Sequence, residues 1–395
     1  MILYPPMSLE PSYSTALARP ANRYDRMEWA GAFGDLGTLI PFVAAYIGVL
    51  KLDPFGVLFA FGISMVACGL HYKTPFPVQP MKAIGAVASI QAVQTAVVTP
   101  AAVYSAALAT GAIWFVLGIS GLMGRVARLV PPAVVIGIVL GLGLGFMLQG
   151  VKMMQTDWVI AVIGVAGTLM MMGNRTVPTM FVLLTFGAVV GGVQHPELLS
   201  RLGDASIRLR VPSFALADIT WNQIFVGVVF LALPQIPLTL GNAVIAITDE
   251  NNRLFPQCPV TEGKVAVSMG IMNMFSGAVG GVPMCHGAGG MAAHFAFGAR
   301  TGGSVVILGG VLLILALFFS SSVYALFQLL PAAVLGVVLF LTGMQLAAGS
   351  SVLPAARGDR MVVFVCAALC IWNVAVGFLA GIALHHINRR GLLRL

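Results

Sequence analysis

Two stretches, PFPVQPMKAIGAVA at 75–88 and PMCHGAGGMAAHFAFGAR at 283–300, decide how the chain reads. Each opens with Pro/Gly-rich backbone that cannot sustain a helical ladder, then continues as a short apolar helix. They sit in a chain of 395 residues that is 59% apolar and 9% charged, with a mean hydropathy of +0.97. Soluble proteins carry about 25% charged residues. Such a composition cannot clothe a soluble surface, so ordinary cytosolic enzymes and intrinsic disorder are both excluded. Forty-six Gly and twenty-two Pro in an apolar background fit packed, interrupted membrane helices. The chain is an all-α polytopic membrane protein.

Apolar runs between charges and Pro/Gly breaks place spans near 27–47, 54–71, 101–122, 131–149, 157–172 and 177–193. Further runs lie at 222–247, 261–280, 302–326 and 331–349, all near the roughly 20 residues that a crossing needs. The run 360–388 is too long for one span and divides at Asn373 into two. Segments 75–91 and 282–298 are too short to cross alone; counted as broken spans, third and tenth, they bring the total to fourteen. With the N-terminus in the cytoplasm, fifteen of the 21 Lys and Arg fall on the inner side. Five (Lys51, Lys152, Arg201, Arg208, Arg210) fall outside, and Lys82 lies inside a membrane segment. The expected organisation is a cytoplasmic tail 1–26, a seven-span repeat 27–193 and an extracytoplasmic loop 194–221. A second seven-span repeat, 222–388, and a short cytoplasmic tail, 389–395, complete it. The first 26 residues hold no apolar h-region of a signal peptide, which points to the cytoplasmic (inner) cell membrane.

The net charge of +8 is scattered over short loops, so it reports topology rather than a nucleic-acid partner. Five Cys without framework spacing read as buried thiols. The GLGLG at 141–145 lies mid-span and reads as close helix packing, not a nucleotide fingerprint. Cys285 and His286 are adjacent, which on a helix does not bring them face to face, and an orienting acid is not evident. A thiol enzyme and a metal site are both disfavoured, and neither cofactor nor metal is expected.

An internal repeat joins the halves. PAVVIGIVLGLGLGFMLQG (132–150) aligns with PAAVLGVVLFLTGMQLAAG (331–349) without gaps, with eight identities in nineteen positions. This pair is 199 residues apart and the two broken segments 206, Pro77 against Pro283. An offset of seven spans is odd, so the second half lies upside down relative to the first. That is the inverted repeat of many secondary transporters, whose substrates bind near the midplane at discontinuous helices.

Each helix N-terminus carries about half a positive charge and offers free N–H groups. Two such ends facing one point, with Lys82, offset about two negative charges, so the substrate reads as a small dianion. The first short helix is expected to start near Val78–Met81, which puts Lys82 in its first turn, a poor place for a cation unless an anion lies near; the alternative is that it snorkels or pairs with Asp35. Asp35, within GAFGDLGTLIP (31–41), is either that counter-ion or a coupling proton site. Thr38 is one turn on. QIPLTLGN (235–242) puts Gln235, Thr239 and Asn242 at helical spacing, to line a cavity or to tie helices together. His286 is either a donor at the pocket mouth or structural, and His294 reads as a packed polar residue.

At these residues the chain resembles the molybdate transporter type 1 family, a branch of the sulfate permease superfamily. The two long signatures, GAFGDLGTLIP, QIPLTLGNAVIA (235–246), LFP (254–256) and VGFLAGI (376–382) carry the resemblance along nearly the whole chain. Met291 and His294 stand where members usually have Leu and Gln. The resemblance implies fourteen spans as seven plus seven, with a core domain (spans 1–4 and 8–11) moving against a gate domain (5–7 and 12–14). It implies an anion held between spans 3 and 10 and flanked by 1 and 8, and a homodimer in related proteins. The resulting expectation is a secondary transporter importing molybdate. Its substrate site would draw on Thr38, Gln79, Met81, Lys82, Gln235, Asn242, His286, Gly287, Ala288 and Gly289, with Asp35 coupling protons. A sulfate or broad divalent-oxyanion carrier is the alternative. A nucleobase permease, an intramembrane thiol enzyme and an anion channel rank below it.

Overall fold

The computed structural model describes residues 21–48, 50–81, 84, 98–128, 130–171, 177, 179–203, 209–212, 214–349, 353–354 and 356–390. The first half holds α1 (Arg26–Ala32), α2 (Leu36–Gly48), α3 (Pro54–Tyr72), β1 (Gln79–Pro80), α4 (Pro100–Ile119), α5 (Pro132–Met154), α6 (Trp158–Met171) and α7 (Thr179–Gln194). In the second half a helical run covers 221–254, in which α8 (Trp221–Val226), α9 (Leu233–Leu238) and α10 (Ile247–Leu254) alternate with π turns at Gly227–Ala232 and Thr239–Ala246. Then come α11 (Glu262–Ala278), β2 (Met284–Cys285), α12 (Ala288–Ala296), α13 (Gly303–Phe319), α14 (Ala332–Gly349), α15 (Arg357–Trp372) and α16 (Val374–Arg389).

The helix starts follow simple local rules. Asp53 and Thr99 cap α3 and α4 by accepting from Phe55 N and Ala102 N, and Pro54 and Pro100 occupy first-turn positions where no N–H is needed. Pro234 and Pro237 withdraw two donors from the 221–254 run, and wider π turns flank them. Among the described residues α3, α4 and α5 are long and apolar enough to cross a membrane by themselves, and α6, α7 and α13 are shorter apolar helices. The first expected span is not one uniform helix: a 3-10 turn, Phe33–Asp35, separates α1 from α2. The last run breaks at Asn373, where φ −153° and ψ 117° interrupt the helix between α15 and α16.

Three antiparallel helix pairs hold the middle of the molecule, each through glycines that let backbones touch. On α3, a Cβ at Gly62 would come within 2.6 Å of Leu313, and one at Gly69 within 2.5 Å of the Gly302 carbonyl. On α4, Gly111 and Gly118 meet Met274 N and Val267 N of α11 at 2.7 and 2.8 Å by the same measure. On α5, Gly143 and Gly150 meet Ala347 N and Phe340 N of α14 at 2.6 and 2.7 Å. In lipid, such close packing replaces the hydrophobic drive that water would supply.

Between these pairs β1 and β2 cross antiparallel, Gln79 opposite Cys285 and Pro80 opposite Met284. This corrects one expectation. Residues 78–81 do not start a helix; Gln79 and Pro80 form a strand, because Pro77 and Pro80 lack donors and the strand opposite supplies partners. The short helix expected across 82–91 falls outside the described residues except for Ile84, which is helical. Its counterpart after β2 is α12.

A branched side chain at Gly143 has nowhere to go, whereas Gly167 has nothing within 4 Å of its Cβ position. Gly143→Val is expected to cost about 1–3 kcal/mol of overpacking and to lower the thermal unfolding midpoint of the purified protein. Gly167→Ala should leave it in place.

Candidate functional site

The crossover lies where water does not reach, so each backbone polar group needs a partner from the protein. Met81 N donates to the Pro283 carbonyl at 2.8 Å, and the Met81 carbonyl accepts from Tyr46 Oη at 3.3 Å. The outer edge of β2 is satisfied by a side chain. Asn273 of α11 donates Nδ2 to the Met284 carbonyl at 2.6 Å and accepts from Met284 N at 2.8 Å, as a neighbouring strand would. Ser276 Oγ donates to the Val282 carbonyl at 2.7 Å.

His286 is fully engaged. Its Nδ1 lies 2.7 Å from the Pro77 carbonyl, which can only accept, so Nδ1 carries the proton. Nε2 lies 2.7 Å from Ser268 Oγ, which in turn accepts from Tyr72 Oη at 2.6 Å. The ring packs edge-on against Phe76 and Tyr72. The ring ties β2 to the segment before β1. His294 donates Nδ1 to the Gly31 carbonyl at 2.8 Å, joining α12 to α1.

Beyond His286 the backbone turns at Gly287, which caps α12 without any side-chain bond to the helix end. A Cβ at Gly287 would run into Gln79 Oε1 and lie 3.4 Å from Asn242 Nδ2. A Cβ at Gly290 would lie 2.6 Å from Pro77 and 2.9 Å from the Gln79 amide, and one at Gly289 would strike the ring of Phe146, which reaches over from α5. Gln79, Asn242 and Phe146 thus pack closely around the start of α12 and wall a tight glycine cradle at the helix end.

Behind Gln79 sits a buried polar cluster on the 3-10 turn and the start of α2. Gln79 Nε2 donates to Asp35 Oδ1 at 2.5 Å and to Thr38 Oγ1 at 2.7 Å, and the Thr38 hydroxyl also bonds the Asp35 carboxylate. Gln79 and Asp35 are wholly buried. Among the described residues, Gln79 Oε1 and Asn242 Oδ1 are buried with no hydrogen-bond partner. Gln235 faces the other broken segment: its Oε1 accepts from Ile84 N at 3.3 Å and its Nε2 donates to Thr239 at 3.0 Å.

The structure therefore brings Asp35, Thr38, Gln79, Asn242, Gly287, Ala288 and Gly289 to one point. It sets Gln235 at the opposing half-segment, engages the Met81 N–H within the crossover, and turns His286 away. Lys82 lies outside the described residues. Two residues of the frame went unremarked in the sequence. One is Asn273, a polar side chain in an apolar run, which was signal enough. The other is Glu28, wholly buried, whose carboxylate accepts from Arg300 N, Thr301 N and Ser304 N at 3.0, 2.9 and 3.2 Å and so anchors the start of α13 to α1. All five Cys are buried free thiols, and among the described residues no His/Cys/Asp/Glu group could hold a metal.

Solved membrane-transporter structures share this overall fold. The chain superposes on the transmembrane domain of the cyanobacterial bicarbonate transporter BicA with a TM-score of 0.58, covering 92% of this chain and 98% of that one at 17% identity. Murine Slc26a9, an anion transporter solved in the inward-facing state, gives 0.64 over 95% of this chain and 70% of that one at 14% identity. The sequence profile described as "Molybdate transporter of MFS superfamily" matches residues 27–146 and 227–346. Among relatives, Molybdate transporter 1 of Arabidopsis thaliana is 31% identical over 89% of this chain and 85% of its own length. Molybdate transporter 2 of the same plant is 30% identical over 91% and 86%. The chain belongs to the molybdate transporter family and is a multi-pass membrane protein.

Removing the His286 ring leaves the Pro77 carbonyl and the Tyr72–Ser268 pair without their partner, at about 1–3 kcal/mol for buried groups. His286→Ala is expected to lower the thermal unfolding midpoint. His286→Phe, which keeps the ring packing but not the bonds, should recover only part of the loss.

Proposed function

We propose that the protein is a secondary transporter importing molybdate across the cytoplasmic membrane, by alternating access to one site at the β1–β2 crossover. The observation that carries this reading is the uncapped start of α12 facing Gln79 and Asn242, in a chain of this family. A tetrahedral dianion in the cradle accepts N–H bonds from Gly287, Ala288 and Gly289, where the helix end contributes about half a positive charge. Asn242 turns its amide N–H to the anion. Lys82, the cation of the PFPVQPMKAIGAVA stretch, supplies the rest of the charge. Phe146, reaching across from α5, covers the anion on the gate side.

The Gln79 amide offers a way to couple protons. With Asp35 ionised, Gln79 directs its NH2 group to the carboxylate and presents Oε1, an acceptor, to the cradle, where it repels an anion. With Asp35 protonated, the carboxyl donates to Oε1, the amide rotates by half a turn, and NH2 faces the anion. Proton and anion then load together. Coupling of this kind is needed, because an inside-negative potential opposes influx by about 2.3 kcal/mol per charge per 100 mV, twice over for a dianion.

The helix pairings support an inverted repeat, which we read as seven plus seven spans with both termini cytoplasmic. Under an exchange of halves α3–α13 maps onto α11–α4, while α5–α14 and β1–β2 map onto themselves. In this arrangement α1–α4 and α8–α13 form the moving core, and α5–α7 and α14–α16 the gate. The two stretches matched by the family profile begin 200 residues apart, close to the repeat offset.

The test is uptake of labelled molybdate into cells lacking their own importer. Wild type should show saturable uptake that resists excess sulfate. Uptake abolished by sulfate points to a general oxyanion carrier, and none above the empty vector contradicts the substrate. Gly287→Ala displaces only the flexible end of Gln79, so it should fold normally while lowering uptake about tenfold, the equivalent of one hydrogen bond to a charged group. Wild-type uptake should rise as external pH falls, and Asp35→Asn, which fixes the neutral arrangement, should flatten that dependence. An Asp35→Asn profile parallel to wild type contradicts the coupling.

A further inference from the structure

Away from the crossover, a cavity of about 960 Å³ lies between α3 and α11, with the end of α4 at Gly118 and the loop before α11 closing it. Its size is at the upper end of the ~300–1,000 Å³ typical of ligand pockets. The walls are mainly apolar: Ile63 and Ala67 on α3, and Val267, Ile271, Met272 and Phe275 on α11. Ile63 and Ile271 are 38% and 53% exposed on the outer face of a membrane protein, so the cavity opens sideways toward acyl chains. At one end it is polar. Lys264, in the first turn of α11, and His71, in the last turn of α3, stand exposed at the mouth beside Thr261.

A second polar group lies deeper. Ser64 lines the cavity, is 4% exposed, and its Oγ has no hydrogen-bond partner among the described residues. An unsatisfied hydroxyl inside a membrane protein is costly, by about 1–3 kcal/mol in mutational data. Tyr72 Oη lies 3.5 Å from the Lys264 carbonyl, so Tyr72 marks the level of the mouth. Ser64 is eight residues up α3 from it, about 12 Å along the helix. A cation at the surface, an unpartnered hydroxyl donor about two turns below it and an apolar slot beyond match one amphiphile from end to end. The phosphate meets Lys264, an acyl-ester carbonyl accepts from Ser64, and one acyl chain fills the slot.

We propose that this cavity is a binding site for a membrane phospholipid with an anionic headgroup. Beyond these side chains the assignment needs only membrane embedding, and it stands whether or not molybdate is the cargo. Its back wall is shared with the substrate frame, since Tyr72 and Ser268 both line it and both belong to the chain of hydrogen bonds that ends at His286 and Pro77.

The test is native mass spectrometry of the full-length protein, delipidated in detergent and then mixed with equal amounts of phosphatidylglycerol and phosphatidylcholine. Wild type should retain phosphatidylglycerol in preference to phosphatidylcholine. Ala67→Trp, which fills the slot from an exposed position of α3, should abolish retention. Lys264→Gln, a surface change that leaves packing untouched, should reduce retention of phosphatidylglycerol about fivefold, the effect of one basic residue beside an anionic surface. Equal retention of the two lipids by wild type overturns the proposal, as does Ala67→Trp retaining as much as wild type. Should Ala67→Trp fail to fold, Lys264→Gln decides alone: undiminished preference for phosphatidylglycerol overturns it.

Discussion

Backbone that is neither helix nor closed sheet must find its hydrogen bonds inside the protein once it enters a membrane, and the rest of this structure depends on how that is done at the crossover. β1 and β2 partner one another over only two residues each. The remaining groups are taken up one at a time: Met284 by Asn273, Pro77 by His286, Val282 by Ser276, the Met81 carbonyl by Tyr46. The start of α12 is treated differently, for no side chain caps it. The frame satisfies its neighbours and leaves that helix end to glycines, which is where we propose the anion binds.

The frame needs stiff support, because a half-strand held by single side chains has little strength of its own. Support comes from helices in backbone contact. The glycines along α3, α4 and α5 bring α13, α11 and α14 near enough that the polar side chains between them have defined positions. Asn273 stands on α11, Tyr72 at the end of α3, and Phe146 on α5, so each of the three pairs contributes at least one residue to the crossover. Glu28 adds a fourth tie, from α1 to the start of α13. On the proposed reading, such support confines reorganisation on binding to the Gln79 amide and keeps the N–H groups of the helix end in place.

Much of this was legible in the residues. Pro77, Pro80, Pro283 and Gly287 announced interrupted backbone, and their matched spacing announced that the interruptions face each other. Asp35, Thr38 and Asn242 stood out because polar groups in apolar runs are expensive. The same rule applied to Asn273 and Glu28, which the motifs overshadowed. What could not be read was direction. His286 has its ring partner on α11, eighteen residues back, and only packing shows that it turns toward Ser268 instead of the cradle. The extended form of residues 79–80 likewise needed a strand from the other half of the chain, and the π turns beside Gln235 and Asn242 arise where two prolines remove donors from a long helix.

The central claim is the place where the anion sits. Crystals of the full chain grown with molybdate, with diffraction recorded at the molybdenum absorption edge, locate the metal of the anion directly. The account predicts one anomalous peak between Gln79 and Asn242, within hydrogen-bond reach of the N–H groups of Gly287, Ala288 and Gly289. A peak elsewhere in the bundle, with that cradle unchanged, would contradict it.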